Sequence, residues 1–175
     1  MAGPASSAVA LPVARAALRL LVVANVFVAV AIVVLLVAMP TERWIMTSLD
    51  LEPSPEATRI VWALHAVAVL GLVATPVNHW ILRRLLAIVE TVRGGDPFVA
   101  ANAERLQAIA WALLVLQLLG IVIGAIVDGA STAAHPLDID AGSSVGGWLA
   151  VLLTFLLARV FAEGTHMRED LAGTV

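Results

Sequence analysis

Four long apolar stretches follow one another along the chain, and the length of each is close to or above the roughly 20 residues that an α-helix needs to cross a bilayer core. They are apolar on every face, and backbone at membrane depth must satisfy its own hydrogen bonds, so they predict helices and not barrel strands. The predicted spans are 16–39, 60–82, 109–127 and 145–161. We therefore expect residues 1–175 to form a single all-α domain, an integral membrane four-helix bundle.

The apolar pattern of the second span continues beyond residue 82 at helical spacing, now interleaved with charged residues. This pattern predicts that the second helix extends out of the membrane, until Gly94 and Gly95 supply a C-terminal stop. Asp96 and Pro97 form either a turn or the start of the next helix with Asp96 as its N-cap, and Asn102 is a second N-cap candidate. Residues 83–108 are thus an expected loop between the second and third spans, and residues 162–175 an expected tail.

Composition supports a membrane protein, because 61% of the residues are hydrophobic and 13% are charged, whereas a soluble domain is about 45 to 50% apolar. Ten Arg, no Lys and thirteen acidic residues give a net charge of −3. This balance leaves no basic surface for direct nucleic-acid binding. The chain has no Cys, which excludes disulfides, thiolate metal sites and cysteine nucleophiles.

Arginine placement predicts the orientation, since cytoplasmic flanks are enriched in cations. Only Arg43 and Arg59 fall in the first and third connections, and the other eight flank the first span, fill the 83–108 loop or follow residue 158. We therefore expect both termini and the 83–108 loop on the cytoplasmic side of the cell membrane. The other side is expected to be acidic.

Two segments carry a resemblance to a known family. The first is Val92-Arg93-Gly94-Gly95-Asp96-Pro97-Phe98-Val99, followed by Asn102 and Arg105-Leu106; the second runs from Ala158 through Phe161, Glu163 and Gly164 to Met167-Arg168-Glu169-Asp170-Leu171. Together they resemble a four-span bacterial membrane family known as domain of unknown function 2975. The resemblance implies a bacterial inner-membrane protein without an assigned activity. It also implies a regulatory partnership, because members are often encoded beside a small helix-turn-helix regulator.

If the last three spans pack together, these two segments meet at the inner surface. A surface of this kind is a candidate docking site for a soluble partner, and the alternative is a tail that only caps its own bundle. The residues we assign to the candidate surface come from both segments: Asp96, Pro97, Phe98, Asn102, Arg105, Phe161, Gly164 and Arg168.

Polar residues at membrane depth are few, and each is a functional hypothesis because its burial in lipid is costly. The candidates are Asn25, His65, Asn78 and Gln117. For Asn25 and Gln117, hydrogen bonding between helices is the favoured interpretation. The rival function is a small transporter, or a binder of a hydrophobic molecule held between the spans near these four residues. Gly120 and Gly124 form a G-x-x-x-G motif, which favours internal packing or, alternatively, a homo-oligomer.

The sequence predicts no cofactor, no metal site and no chemistry of its own. His65 and His79 are fourteen positions apart on one helix, or about 21 Å along its axis, too far to ligate one haem iron together. His135, Asp138 and Asp140 have no recognised ligand spacing. Paired carboxylates at membrane depth, a Ser/His/Asp set and a phosphate-binding Gly loop are all missing. We therefore expect a non-enzymatic protein.

Overall fold

The structure is a computed structural model that describes residues 4–38, 42–48, 50, 52–132, 137 and 144–172. Within these residues all regular structure is helical, which confirms the predicted all-α class. Four helices are long and apolar enough to cross a membrane, in agreement with the four predicted spans. The helices are α1 (Pro4–Ala38), α2 (Glu42–Ser48), α3 (Pro55–Arg93), α4 (Ala100–Ala130) and α5 (Val145–Ala172).

The long helices extend well beyond the predicted spans at one end of the molecule. There α1 begins at Pro4, α3 continues without interruption to Arg93, and α5 continues to Ala172. Only residues 94–99 separate α3 from α4, so most of the expected 83–108 loop is helical. We call this end, where eight of the ten arginines lie, the arginine-rich end.

Local sequence explains where α3 begins and ends. The Ser54 hydroxyl oxygen accepts a hydrogen bond from the backbone N–H of Ala57 at 3.1 Å, a standard N-cap, and Pro55 stands at the first helical position. At the other terminus, Gly95 has a φ of +85°, a left-handed conformation that L side chains rarely adopt. The expected stop at Gly94 and Gly95 is therefore where α3 ends.

The short helix α2 was not predicted, because seven residues are too few to show a helical period in the sequence. It packs against the first turns of α3. Ile45 and Met46 of α2 are buried against Ala57, Ile60 and Val61. This apolar cluster closes the end of the molecule opposite the arginine-rich end.

The four long helices of the bundle lie in chain order: α1 packs on α3, α3 on α4, and α4 on α5. Among the described residues, α1 makes no close backbone approach to α4 or α5, and α3 makes none to α5. Each outer helix therefore has a single helical neighbour. Much of the apolar surface of α1 and α5 is left uncovered by the chain, as suits surface that faces lipid.

Candidate functional site at the arginine-rich end

Asn102 is the centre of the connection between α3 and α4. Its side chain is completely buried, with 0% of its surface exposed. The amide nitrogen Nδ2 donates to the Thr91 hydroxyl at 2.7 Å and to the Pro97 carbonyl at 2.9 Å. Its Oδ1 accepts from the Arg105 guanidinium at 2.8 Å. One side chain thus joins the end of α3, the 94–99 loop and the first turns of α4.

These bonds correct the N-cap expected at Asn102. The helix α4 already begins at Ala100, with Val99 at the N-cap position, so Asn102 lies inside the first turn. An N-cap side chain accepts a bond from a backbone N–H, whereas the Asn102 amide donates toward the preceding loop. Sequence reasoning identified the residue but assigned it the wrong role, because Asn is by default a cap residue.

Phe98 links the 94–99 loop to α5. Its ring lies 5.3 Å from the ring of Phe161, measured between centroids. Gly164 lies directly beneath it, since a Cβ on this glycine would stand 2.9 Å from Phe98 Cδ1. The absence of a side chain at residue 164 is therefore what allows the ring to approach α5.

An ion pair completes this connection: the Arg168 guanidinium binds the Asp96 carboxylate. We call the set Asp96, Phe98, Phe161, Gly164 and Arg168 the loop–α5 junction. Pro97 contributes its carbonyl to Asn102, and Arg105 holds the other end of the same amide. All eight residues assigned to the candidate surface therefore lie in one connected cluster, but their contacts are largely with one another.

A second tie at this end was missed by the sequence analysis. Arg15 of α1 pairs with Glu90 of α3 at 2.6 Å, and Arg93 binds the other carboxylate oxygen at 2.9 Å. Glu90 thus connects α1 to α3 outside the predicted spans. No local pattern pointed to this contact, because Arg15 and Glu90 are far apart in sequence and their neighbours are ordinary helix residues.

Asn25 and Asn78 belong to one hydrogen-bonded group between α1 and α3. Asn25, 8% exposed, donates from Nδ2 to the Thr75 carbonyl at 3.1 Å. Its Oδ1 accepts from Asn78 Nδ2 at 3.2 Å. The group lies beside Pro76, which interrupts the helical hydrogen bonding of α3. It also borders an open cavity of about 410 Å³ that reaches His79 and Arg83.

His65 lines a different cavity, between α1, α2 and α3. Its Nδ1 lies 2.9 Å from the Val61 carbonyl; a carbonyl only accepts, so in the neutral imidazole Nδ1 carries the hydrogen and Nε2 is an acceptor. The cavity measures about 450 Å³, and its walls, among them Leu36, Trp44 and Leu64, are almost entirely apolar.

Gln117 lies at the contact of α4 with α5, away from both cavities. Its side chain packs on the backbone of Gly147, where a Cβ would stand only 2.5 Å from Gln117 Oε1. Its Nε2 also donates to the Ser144 carbonyl at 3.3 Å. The four polar residues singled out at membrane depth therefore occupy three separate places and do not share one cavity.

The part of the chain that the structure describes holds no cluster of three or more His, Cys, Asp or Glu side chains that could bind a metal ion. The three residues of the second outer connection that lack a recognised ligand spacing lie outside the described residues: His135, Asp138 and Asp140. The described contacts at the arginine-rich end are apolar contacts, hydrogen bonds and ion pairs.

The four long apolar helices indicate a multi-pass membrane protein. Hydrogen bonds of Asn102 and the ion pair of Asp96 with Arg168 hold its arginine-rich end together. A family described as "Protein of unknown function (DUF2975)" matches residues 44–175, well over half of the chain. The chain belongs to this family, and the match covers both segments that carried the resemblance. No curated protein and no solved structure gives a significant match.

Proposed function

We propose that this protein is a non-enzymatic regulatory protein of the bacterial plasma membrane that docks a soluble cytoplasmic partner through its arginine-rich end. The observation that carries the proposal is the exposed apolar surface at the junction: the junction residue Phe98 is 42% exposed, and Met167, next to Arg168 in the chain, is 57% exposed. Outside the lipid such side chains favour contact with another protein. The ion pair of Asp96 and Arg168 borders them and supplies polar contacts at the rim.

The height of this end above the membrane makes the surface accessible. The Arg84 guanidinium lies 3.8 Å from the centroid of the Trp80 ring, and Trp and Arg together are typical of the membrane interface. From Arg84 to the end of α3 at Arg93 the helix rises about 14 Å. The 94–99 loop then stands clear of the headgroups.

Five of the eight residues assigned to this surface take one of two roles in the proposal. Asn102, Phe161 and Gly164 act as scaffold, since Asn102 is fully buried and Gly164 is covered by the Phe98 ring. Phe98 and Arg168 contact the partner, together with Met167. The partner class that the family resemblance suggests is a small helix-turn-helix regulator, so the chain would act on nucleic acid only through that partner.

The test measures binding of the purified neighbouring regulator to the full chain in detergent. Phe98→Ala and Arg168→Ala are each expected to weaken binding about tenfold or more, as truncation of an interface anchor does. Glu163→Gln, an exposed residue of α5 that is not part of the junction, is the matched control and should bind like the parent protein. Unchanged binding in both alanine variants refutes the proposal.

The proposed orientation is tested separately with single cysteines, which the Cys-free chain allows. Ala101 and Glu52 are both exposed and lie at opposite ends. In intact cells, a membrane-impermeant maleimide is expected to label Glu52→Cys and to leave Ala101→Cys unlabelled until the cells are opened. The reverse pattern excludes a cytoplasmic location of the arginine-rich end.

A second candidate, favoured by the His65 cavity, is binding of a lipophilic molecule that carries one hydroxyl donor. The apolar walls would hold the hydrocarbon part, and His65 Nε2 would accept the hydrogen bond. A lipophilic phenol should then quench the fluorescence of Trp44 in the cavity wall. His65→Phe should raise the phenol concentration that gives half-maximal quenching about fivefold, the effect of losing one hydrogen bond. Equal quenching in both proteins excludes this candidate.

A further inference from the structure

A groove between α4 and α5 at the arginine-rich end is independent of the junction and of both cavities described above. It has a volume of about 510 Å³ and, unlike the His65 cavity, has a substantial polar lining. Glu104 and Gln107 stand on the α4 side, and Phe155, Arg159 and His166 stand on the α5 side. Small residues, Ala103 and Ala162 among them, form the floor between these side chains.

The antiparallel register of α4 and α5 orders the chemistry along this groove. Trp111 and Phe155 contact each other edge to face, with ring centroids 5.2 Å apart, and so fix one level shared by the two helices. Counting from that level toward the helix ends, Gln107 stands opposite Arg159 and Glu104 opposite Ala162. Arg159 and Glu104 are therefore offset by three residues, about 4.5 Å along the helix axes. Phe155 therefore lies deepest, the Arg159 cation lies further out, and the Glu104 carboxylate lies nearest the water.

Arg159 and Glu104 both lack a partner within the described chain, since neither forms an ion pair or a hydrogen bond there. Arg159 also stands within the predicted fourth span, where an uncompensated charge is costly. A long arginine side chain lowers that cost by reaching to a phosphate at the headgroup level. Arg159 therefore requires an anionic ligand group. Further outward in the groove, Glu104 attracts a cationic one.

We propose that this groove binds the headgroup of a zwitterionic aminophospholipid, with its phosphate on Arg159 and its primary ammonium on Glu104. Such a lipid has the same order of groups from the membrane outward: acyl chains, phosphate, ammonium. Its acyl chains lie toward Phe155. A phosphatidylglycerol headgroup places an uncharged glycerol at Glu104 and leaves the carboxylate without a countercharge, and a quaternary ammonium cannot donate a hydrogen bond to the carboxylate. The groove therefore selects a primary amine.

Native mass spectrometry of the full chain in detergent tests this, with phosphatidylethanolamine, phosphatidylcholine and phosphatidylglycerol added separately. The parent protein is expected to bind the first lipid about tenfold more tightly than the other two, the value of one charge-assisted hydrogen bond. Glu104→Gln should reduce this preference to about twofold or less. Arg159→Gln should weaken the binding of all three lipids, and Arg159→Lys should restore much of that binding.

Two matched controls carry the same charge changes outside the groove. Glu163→Gln neutralises an exposed carboxylate on α5, and Arg19→Gln neutralises an exposed arginine of α1; both should retain the parent preference. The unfolding temperature of each variant in the same detergent confirms that it is folded. Equal affinities of the parent protein for the three lipids would mean non-selective lipid contact and would overturn the proposal. A preference that survives Glu104→Gln, or that is lost equally in Glu163→Gln, would do the same.

Discussion

Replacing Asn102 by alanine removes every side-chain hydrogen bond that holds the α3–α4 connection together at its centre. The Thr91 hydroxyl, the Pro97 carbonyl and the Arg105 guanidinium each lose a partner. Thr91 keeps its own bond to the Ile88 carbonyl at 2.7 Å, so the end of α3 retains a local tie. We therefore expect Asn102→Ala to loosen the loop against the helices without unfolding the spans.

The expected loss follows from counting the bonds. A hydrogen bond within a protein contributes about 0.5 to 1.5 kcal/mol net, so three of them amount to about 1.5 to 4.5 kcal/mol of local stability. The lower part of that range is more realistic, because the flanks of the 94–99 loop are partly exposed and water can reach the freed Pro97 carbonyl. A loss of about 2 kcal/mol makes the open state of the loop about 30 times more populated.

Amide hydrogen exchange in detergent measures this opening directly. The informative amides are those of Gly94, Gly95 and Asp96, which bond to the carbonyls of the last turn of α3. Their exchange should accelerate about 30-fold in Asn102→Ala, and that of the middle of α4 should not change. Gln107→Ala, an exposed substitution on the same helix, is the control. Equal protection of the three amides in Asn102→Ala and the parent protein would refute the central role of Asn102.

Three further substitutions test the contacts between helices. Gly164→Ala should displace the Phe98 ring, whose Cδ1 would lie 2.9 Å from the new methyl group, and cost about 1 kcal/mol, the value of an aromatic contact. Gly147→Ala should cost about 1 to 3 kcal/mol by overpacking, because a Cβ there would stand 2.5 Å from Gln117 Oε1; adding Gln117→Ala should recover part of that loss. Asn25→Leu removes the bonds to Thr75 and Asn78 and should cost about 1 kcal/mol. Thermal unfolding in detergent reports all three.

Each of these substitutions has an outcome that would contradict its reasoning. Gly146 has room for a methyl group, with only Ser144 Oγ at 3.7 Å, so Gly146→Ala is the control for both glycine variants and should be near neutral. A double variant of Gly147 and Gln117 no more stable than Gly147→Ala alone would show that the two side chains do not compete for space. An Asn25→Leu protein as stable as the parent would show that the bonds to α3 contribute nothing net.

The fold class and the four spans could be predicted from the sequence because lipid imposes one requirement on every residue of a span. A spanning helix must be apolar over about 20 residues, and that signal is local. The outer parts of the helices are different. The helix α1 begins at Pro4 although Pro12 and two serines in its first turns favour a tail, and α2 is too short to produce a period. The helix α2 is held by its packing on α3, which no local window contains.

The candidate site was only partly predictable for the same reason. Gly94 and Gly95 were identified as a stop because a left-handed φ has a sequence signature. Asn102 has no comparable signature, since an asparagine near a helix start serves as a cap in most settings. Its hydrogen bonds go to Thr91 and Pro97, which lie close to Asn102 because the chain reverses direction between α3 and α4. Glu104 and Arg159 were likewise ordinary charged residues until the register of α4 against α5 placed them in one groove.

Because α1 packs only on α3 and α5 only on α4, each outer helix must be held in position by contacts with a single neighbour. Lipid tails are as apolar as the side chains they would replace, so apolar contact alone gives little preference for one register over another. Each contact between neighbouring long helices contains a polar or close-packed fixed point: Asn25 between α1 and α3, Asn102 at the turn from α3 to α4, and Gln117 on Gly147 between α4 and α5. These points specify position more than they add stability. Loss of the Asn25 or the Gln117 contact should therefore shift α1 or α5 along its neighbour and leave its insertion in the membrane intact.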